Sequence, residues 1–173
     1  MPTASAQIDE LQIRMTSTPP LAGFAELYEG HYEAVFRAAL RVTGNPADAE
    51  DVLQTVFLRV LTRGDVENVL LPAAYFRRAA VNAAVDVLRR RELRGESVYD
   101  NEAPHAAEPP LLLRERLRRA IAALDSEDAT LFLLRHIEGL SIKELAEMFQ
   151  MEKNNVAVRL HRIRHRLQAE MER

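Results

Sequence analysis

The sequence predicts an all-α protein built as two small helical domains. Its 173 residues are rich in Ala, Leu, Arg and Glu and include only six glycines, a composition of strong helix formers with few interruptions. Apolar residues recur at spacings of three and four through most of the chain, and no segment alternates with the two-residue period of a strand. One stretch, RGESVYDNEAPHAAEPP at residues 94–110, breaks that pattern with a glycine, three prolines and scattered acids. Such a stretch reads as a linker between two domains.

The elements follow in order. Residues 1–20 are polar, carry Pro19-Pro20 and read as a loose N-terminal extension. From Leu21 onward, Phe24, Leu27, Tyr28, Val35, Ala39 and Val42 keep helical spacing up to Gly44, a suitable C-terminal stop. Asn45-Pro46 reopens a helix, with Asn45 as N-cap and Pro at the first helical position. Val52, Leu53, Val56 and Val60 form its inner face. A third helix runs from about Pro72 to Leu93, with Phe76, Ala80, Ala83 and Val87 at spacings of three and four. Beyond the linker come helical segments at Leu111 to Leu124, Ser126 to Ile137 and Ser141 to Phe149, and a last one from about Lys153 to Glu172. The expected domains are residues 21–93 and 111–173, tethered by 94–110.

Composition removes several function classes. The chain has no cysteine, so disulfides, thiolate metal sites and a thiol switch within it are excluded. No apolar run approaches the roughly 20 residues that cross a bilayer, and the N-terminus lacks the charged-then-apolar order of a secretion signal. A soluble, cytoplasmic protein with no membrane insertion is expected. There is no Gly-rich phosphate loop and no metal-spaced set of His, Asp and Glu, so neither an enzyme nor a cofactor or metal site is expected.

The formal net charge is only −3, which argues against a protein that coats nucleic acid, but the distribution matters more than the sum. From Pro72 to Arg94 six arginines stand against Asp86 and Glu92. Residues 95–110 hold Glu96, Asp100, Glu102 and Glu108 and no Lys or Arg, and from Lys153 six basic residues face Glu170 and Glu172. The order is basic, acidic, basic.

In the C-terminal half, Ser141 and Glu144 have the spacing of a capping box, and Ile142, Leu145, Ala146 and Phe149 form one apolar face. After a turn near Gln150 to Glu152, Val156, Leu160, Ile163 and Leu167 make the stripe of the next helix. Steps of about 100° per residue put Asn154, Val158, His161, Arg162 and His165 opposite that stripe. Asn155, Ala157, Arg159 and Arg166 flank them. A helix pair with such a face suits the major groove, where Asn and Arg read base edges and further arginines hold phosphates. A solvated basic face on an ordinary bundle is the alternative. In the N-terminal half, Tyr75 and Phe76 sit beside Arg77 and Arg78, with Asn82 further on. Aromatics among arginines suit unstacked bases; basic residues near helix ends also serve as dipole partners or for solubility.

Taken in order, DAEDVLQTVF, AYFRRAAVNAAVDVLRRRE, the acidic linker, HIEGLSIKELAEMF and NNVAVRLHRIRHRL resemble the extracytoplasmic-function sigma factors of bacterial RNA polymerase, over about residues 24 to 170. This is the minimal sigma class, with conserved regions 2 and 4 only. The resemblance implies a transcription initiation factor that binds core polymerase, through the β′ clamp helices and the β flap, and directs it to promoter DNA. It implies a docking surface of Asp48, Glu50, Asp51, Gln54 and Phe57, in which carboxylates orient the encounter and apolar side chains hold the complex. It implies that region 2 melts and reads the minus-ten element. There Tyr75, Phe76, Arg77, Arg78 and Asn82 would contact flipped bases, and Arg89, Arg90 and Arg91 the backbone. It implies that region 4 reads the minus-thirty-five element with Lys153, Asn154, Asn155, Val158, Arg159, His161, Arg162 and Arg166. An anti-sigma factor is the further partner implied, and the acidic linker would thread the RNA path of the polymerase.

The chain departs from the family pattern at Tyr75, where Trp is usual, and at Leu124-Asp125-Ser126, where Leu-Pro is common. It departs again at Gln150 and Glu152, where the turn normally carries Gly and Ser, and at Ala157 and Val158. A non-Gly residue in a left-handed turn position costs about 1 kcal/mol. The resemblance implies that the free protein binds DNA poorly until polymerase unlocks both domains, and the modest net charge fits that expectation. Two other readings stay open: a two-domain helix-turn-helix regulator that binds DNA without polymerase, and a sigma-like protein that titrates an anti-sigma factor.

Overall fold

Seven helices account for nearly all of residues 21–63, 72–95 and 109–172, the parts of the chain that the computed structural model describes, and no strand occurs among them. They are α1 (Leu21–Thr43), α2 (Pro46–Arg63), α3 (Pro72–Arg94), α4 (Pro109–Ala122), α5 (Ser126–His136), α6 (Ile142–Phe149) and α7 (Lys153–Met171). The expected N-terminal extension and most of the acidic linker lie outside the described residues.

Local chemistry sets the boundaries. Gly44 takes φ +68, and its N–H donates to the Leu40 carbonyl at 2.8 Å, closing α1. The guanidinium of Arg118 lies where a Cβ on Gly44 would stand, so glycine is required there both for its backbone and for its missing side chain. Asn45 Oδ1 accepts from the N–H groups of Ala47 (2.8 Å) and Asp48 (3.3 Å), capping α2. Asp125 caps α5 through the Asp128 N–H at 2.9 Å, which explains how that turn manages without proline. Ser141 and Glu144 form the reciprocal capping box of α6. Gln150 ends α6 at φ 54, ψ 44, the left-handed position, and is the one non-glycine residue with positive φ among those described.

Helix α3 is the centre of the packing, with α1 and α2 against one side and α4 and α5 against the other. Phe76, Val81, Ala84 and Val85 on α3 are each 0–1% exposed. In the C-terminal half, α7 packs on α4, α5 and α6 through Val156, Leu160, Ile163 and Leu167, all buried. The two helical domains therefore share one continuous apolar core rather than standing apart.

Candidate docking and nucleic-acid surfaces

Helix α2 buries Val52, Val56, Phe57 and Val60 and leaves Glu50, Asp51 and Gln54 exposed. Phe57 is 4% exposed, with its ring centroid 4.8 Å from that of Tyr28 and 5.3 Å from that of Phe76. The expectation that Phe57 forms part of an outer docking surface is corrected by helix geometry. Phe57 lies about 240° around the helix from Asp51, whereas Leu58 lies within about 20° of it. Leu58 is 58% exposed and supplies the apolar member of the outer row. Its position one turn after Gln54 was the available signal.

Asp48 also leaves the docking set. Its Oδ2 is 2.6 Å from Arg91 Nη2 on α3, and both side chains are only 15% exposed. Burial raises the Asp48 pKa above the usual carboxylate value, against the pull of Arg91. The pair therefore ties α2 to α3 inside one domain, and the Arg91 guanidinium is taken up by it.

The α3 surface is occupied more than expected. Phe76 is 1% exposed, with its ring stacked on Phe57 and with His31 at 4.5 Å on centroids; it is a core residue with no face for a base. Tyr75 is half-buried, edge-on to Phe76, and Arg77 and Arg90 are exposed. Arg78 donates to the Met148 carbonyl at 2.7 Å and lies 4.4 Å over the Phe149 ring, both residues on α6. Asn82 Oδ1 accepts the hydroxyl hydrogen of Thr130 on α5. Arg89 donates to the carbonyls of Ala122 (3.4 Å), the last residue of α4, and of Leu124 in the turn that follows.

On α7, Lys153, Asn154, Asn155, Val158, His161, Arg162 and Arg166 are exposed along one side, with Arg164 and His165 beside them. His161 and His165 lie one turn apart, with Nε2 atoms 3.1 Å from each other. Arg159 does not join that face. It meets Asp128 at 2.5 Å, Glu127 at 2.6 Å and Asp125 at 3.9 Å, which are the acids of the α5 N-terminus. Burial opposes its charge, but these carboxylates outweigh burial and raise its pKa. The acids also complement the N-terminal end of the α5 dipole. No group of three or more His, Asp or Glu is placed to hold a metal ion, and no helix is long and apolar enough to cross a membrane, among the described residues.

The Sigma-70 region 2 family model matches residues 27–94, and the Sigma-70, region 4 model matches residues 114–167. The chain is 31% identical over 158 residues to an RNA polymerase sigma-E factor of Streptomyces avermitilis, an overlap of 86% of this chain and 85% of that one. The chain belongs to the extracytoplasmic-function sigma factors. Among more distant relatives, SigW, an ECF RNA polymerase sigma factor of Bacillus subtilis, is 23% identical over 165 residues, covering 86% of this chain and 88% of its own. The fold is similar to that of the Bartonella quintana sigma factor RpoE, solved in complex with the anti-sigma factor NepR. That match has a TM-score of 0.51 and 21% identity, and spans 86% of this chain and 96% of the other. This sigma factor is a transcription initiation factor that directs polymerase to promoters. Its region 2 is carried by α1 to α3 and its region 4 by α4 to α7.

Proposed function

We propose that this sigma factor docks on core RNA polymerase, at the β′ clamp helices, through the outer row of α2: Glu50, Asp51, Gln54 and Leu58. The observation that carries the reading is that these four side chains are all exposed and share one side of α2, while Asp48 and Phe57 are held inside the domain. Carboxylates of this kind orient the encounter, and the leucine supplies area that is buried on association. Tyr75, Arg77, Arg78, Asn82, Arg89 and Arg90 then read and hold the minus-ten strand. The exposed face of α7 reads the minus-thirty-five duplex, with Asn154, Asn155 and Arg162 toward base edges and Lys153 and Arg166 toward phosphates. His161 and Val158 line the same side. An anti-sigma factor is proposed as the regulating partner, by analogy with the Bartonella quintana complex, and polymerase binding sets the cytoplasm as the place of action.

The test compares the wild type with a Glu50→Ala/Asp51→Ala/Leu58→Ala variant in core polymerase binding and in reconstituted transcription on genomic fragments. Loss of three interface contacts worth about 1 kcal/mol each predicts roughly 100-fold weaker association, with unchanged helicity. Undiminished initiation by the variant would remove the docking assignment.

A further inference from the structure

The sequence HRIRH places His161 and His165 one helical turn apart on α7, and both side chains are exposed. Their Nε2 atoms lie 3.1 Å apart, with the rings at 81° and the ring centroids separated by 4.4 Å. Two imidazoles at i and i+4 on one helix face are the spacing with which a helix holds a zinc ion. The separation fits that chemistry. With metal–nitrogen bonds of about 2.0–2.1 Å, an ion touching both Nε2 atoms at 3.1 Å would see them at an angle of about 95–102°. That lies between the roughly 90° of an octahedral ion and the roughly 109° of a tetrahedral one. A hydrogen bond accounts for the same distance, one neutral ring donating its Nε2 proton to the other. It uses one lone pair, whereas an ion takes both, with the ring protons moved to Nδ1.

The pair is held in place before any ion arrives. It sits in the middle of a 19-residue helix, and Leu160, Ile163 and Leu167 around it are buried in the core. Little backbone freedom is left to lose on binding. The surroundings set the strength. Arg162, Arg164 and Arg166 are exposed on the same helix and oppose a dication, although salt screens exposed charges beyond about 8 Å. No third His, Asp or Glu joins the pair among the described residues, so it falls short of the three or four protein ligands of catalytic and structural centres. Loading is therefore reversible, and a bound ion keeps coordination positions for water or another oxygen.

We propose that His161 and His165 form a two-imidazole site for a divalent transition ion of the Ni²⁺, Cu²⁺ and Zn²⁺ class, and that the loaded ion strengthens the hold of α7 on duplex DNA. Imidazole suits these ions, whereas Mg²⁺ and Ca²⁺ prefer oxygen. The effect on DNA rests on the assignment of α7 to the minus-thirty-five duplex given above. A recognition helix reads base edges with its N-terminal residues, so the middle of α7 lies toward the edge of the groove and the phosphates. An ion there adds two positive charges where phosphate contacts set the affinity.

The full-length chain, freed of any purification tag, is titrated by calorimetry with NiCl₂, ZnCl₂ and CuCl₂, and with MgCl₂ as the hard-ion control. One ion per chain is expected, tightest for Cu²⁺, with no binding of Mg²⁺. Removing one imidazole, by His161→Gln or His165→Gln, should weaken binding roughly 100-fold, because the second ligand acts at high effective concentration. Both positions are exposed, so circular dichroism should show wild-type helicity in each variant. His31, His105 and His136 remain in both, so binding that survives either change unaltered overturns the site. Equal binding of Mg²⁺ does so too. Promoter association of the reconstituted holoenzyme is then measured with and without Ni²⁺, for wild type and for His165→Gln, each against its own metal-free value. Ni²⁺ should tighten the wild type by about threefold or more, the effect of one added phosphate contact, and leave His165→Gln unmoved. An equal response in the two proteins overturns the effect on DNA. Asn154→Ala and Arg162→Ala holoenzymes that associate normally would instead strike the minus-thirty-five assignment, while calorimetry on the free chain still decides the site.

Discussion

Replacing Arg91 by methionine tests whether the basic run at the end of α3 faces DNA or the protein interior. In the structure Arg91 pairs with Asp48 at 2.6 Å, with both side chains 15% exposed. Breaking a fully buried pair by removing one partner costs about 3–5 kcal/mol. The residual exposure, and the position of Asp48 in the first turn of α2, where the helix dipole still favours an anion, reduce this to about 2 kcal/mol. For a chain of this size that is a fall in melting temperature of about 4–8 °C. Asp48→Asn alone should cost about 1 kcal/mol, and the double variant about the same. The coupling energy is then about 2 kcal/mol, readable from a double-mutant cycle in urea.

The pH dependence separates this account from a loss of packing. Burial already raises the Asp48 pKa despite Arg91, and removing Arg91 raises it further. A carboxyl with a raised folded pKa binds more protons folded than unfolded just above its usual value, so stability falls as pH rises through that window. The Arg91→Met deficit should be largest near about pH 7 and should shrink as pH approaches the Asp48 pKa from above. Thermal melts across that range measure it. A variant as stable as wild type near neutrality but unable to open promoters would refute the reasoning and return Arg91 to the DNA. A deficit that ignores pH would refute the electrostatic part.

Gln150→Gly should raise stability by about 0.5–1 kcal/mol, because Gln150 sits at φ 54 where glycine is unstrained; a matched pair of thermal melts checks it. Arg159→Ala should lower stability by about 1 kcal/mol through the acids at the start of α5. Arg162→Ala should leave the melt unchanged and instead weaken minus-thirty-five duplex binding by about 1–3 kcal/mol and relax its sequence preference, which a binding titration against matched and mismatched duplexes measures. The His136 pKa is lowered, first by burial and then by Arg164 and Arg135. The unfolded chain therefore binds that proton more readily, and the contribution of His136 is complete above about pH 6.5 and is lost as pH falls through its folded value. His136→Gln should remove that part of the acid sensitivity, which denaturation at stepped pH reads out.

The sequence disclosed what depends on neighbours along the chain. The Asn45 cap, the Ser141–Glu144 box and the stop at Gly44 are each set by two or three adjacent residues, and each stands as expected. The unusual turn at Gln150 was legible for the same reason. What stayed hidden was which of two plausible partners a long side chain chooses. Six arginines between Pro72 and Arg94 looked like one basic surface. In the structure Arg78 and Arg89 cap helices of region 4 and Arg91 is spent on Asp48, while Arg77 and Arg90 are exposed. A charge count cannot separate these cases, because an arginine offers the same donors to a carbonyl, a carboxylate or a phosphate. One signal did point to the packing of region 4 on α3. Helix α3 carries its buried apolar residues, Phe76, Ala80, Val81, Ala83, Ala84, Val85, Val87 and Leu88, over an arc of about 200° of its circumference. An apolar arc this much wider than the stripe of a one-sided helix must be covered from more than one direction. Helices α1 and α2 cover one side of α3, so the pattern itself required a further partner, and region 4 meets that requirement.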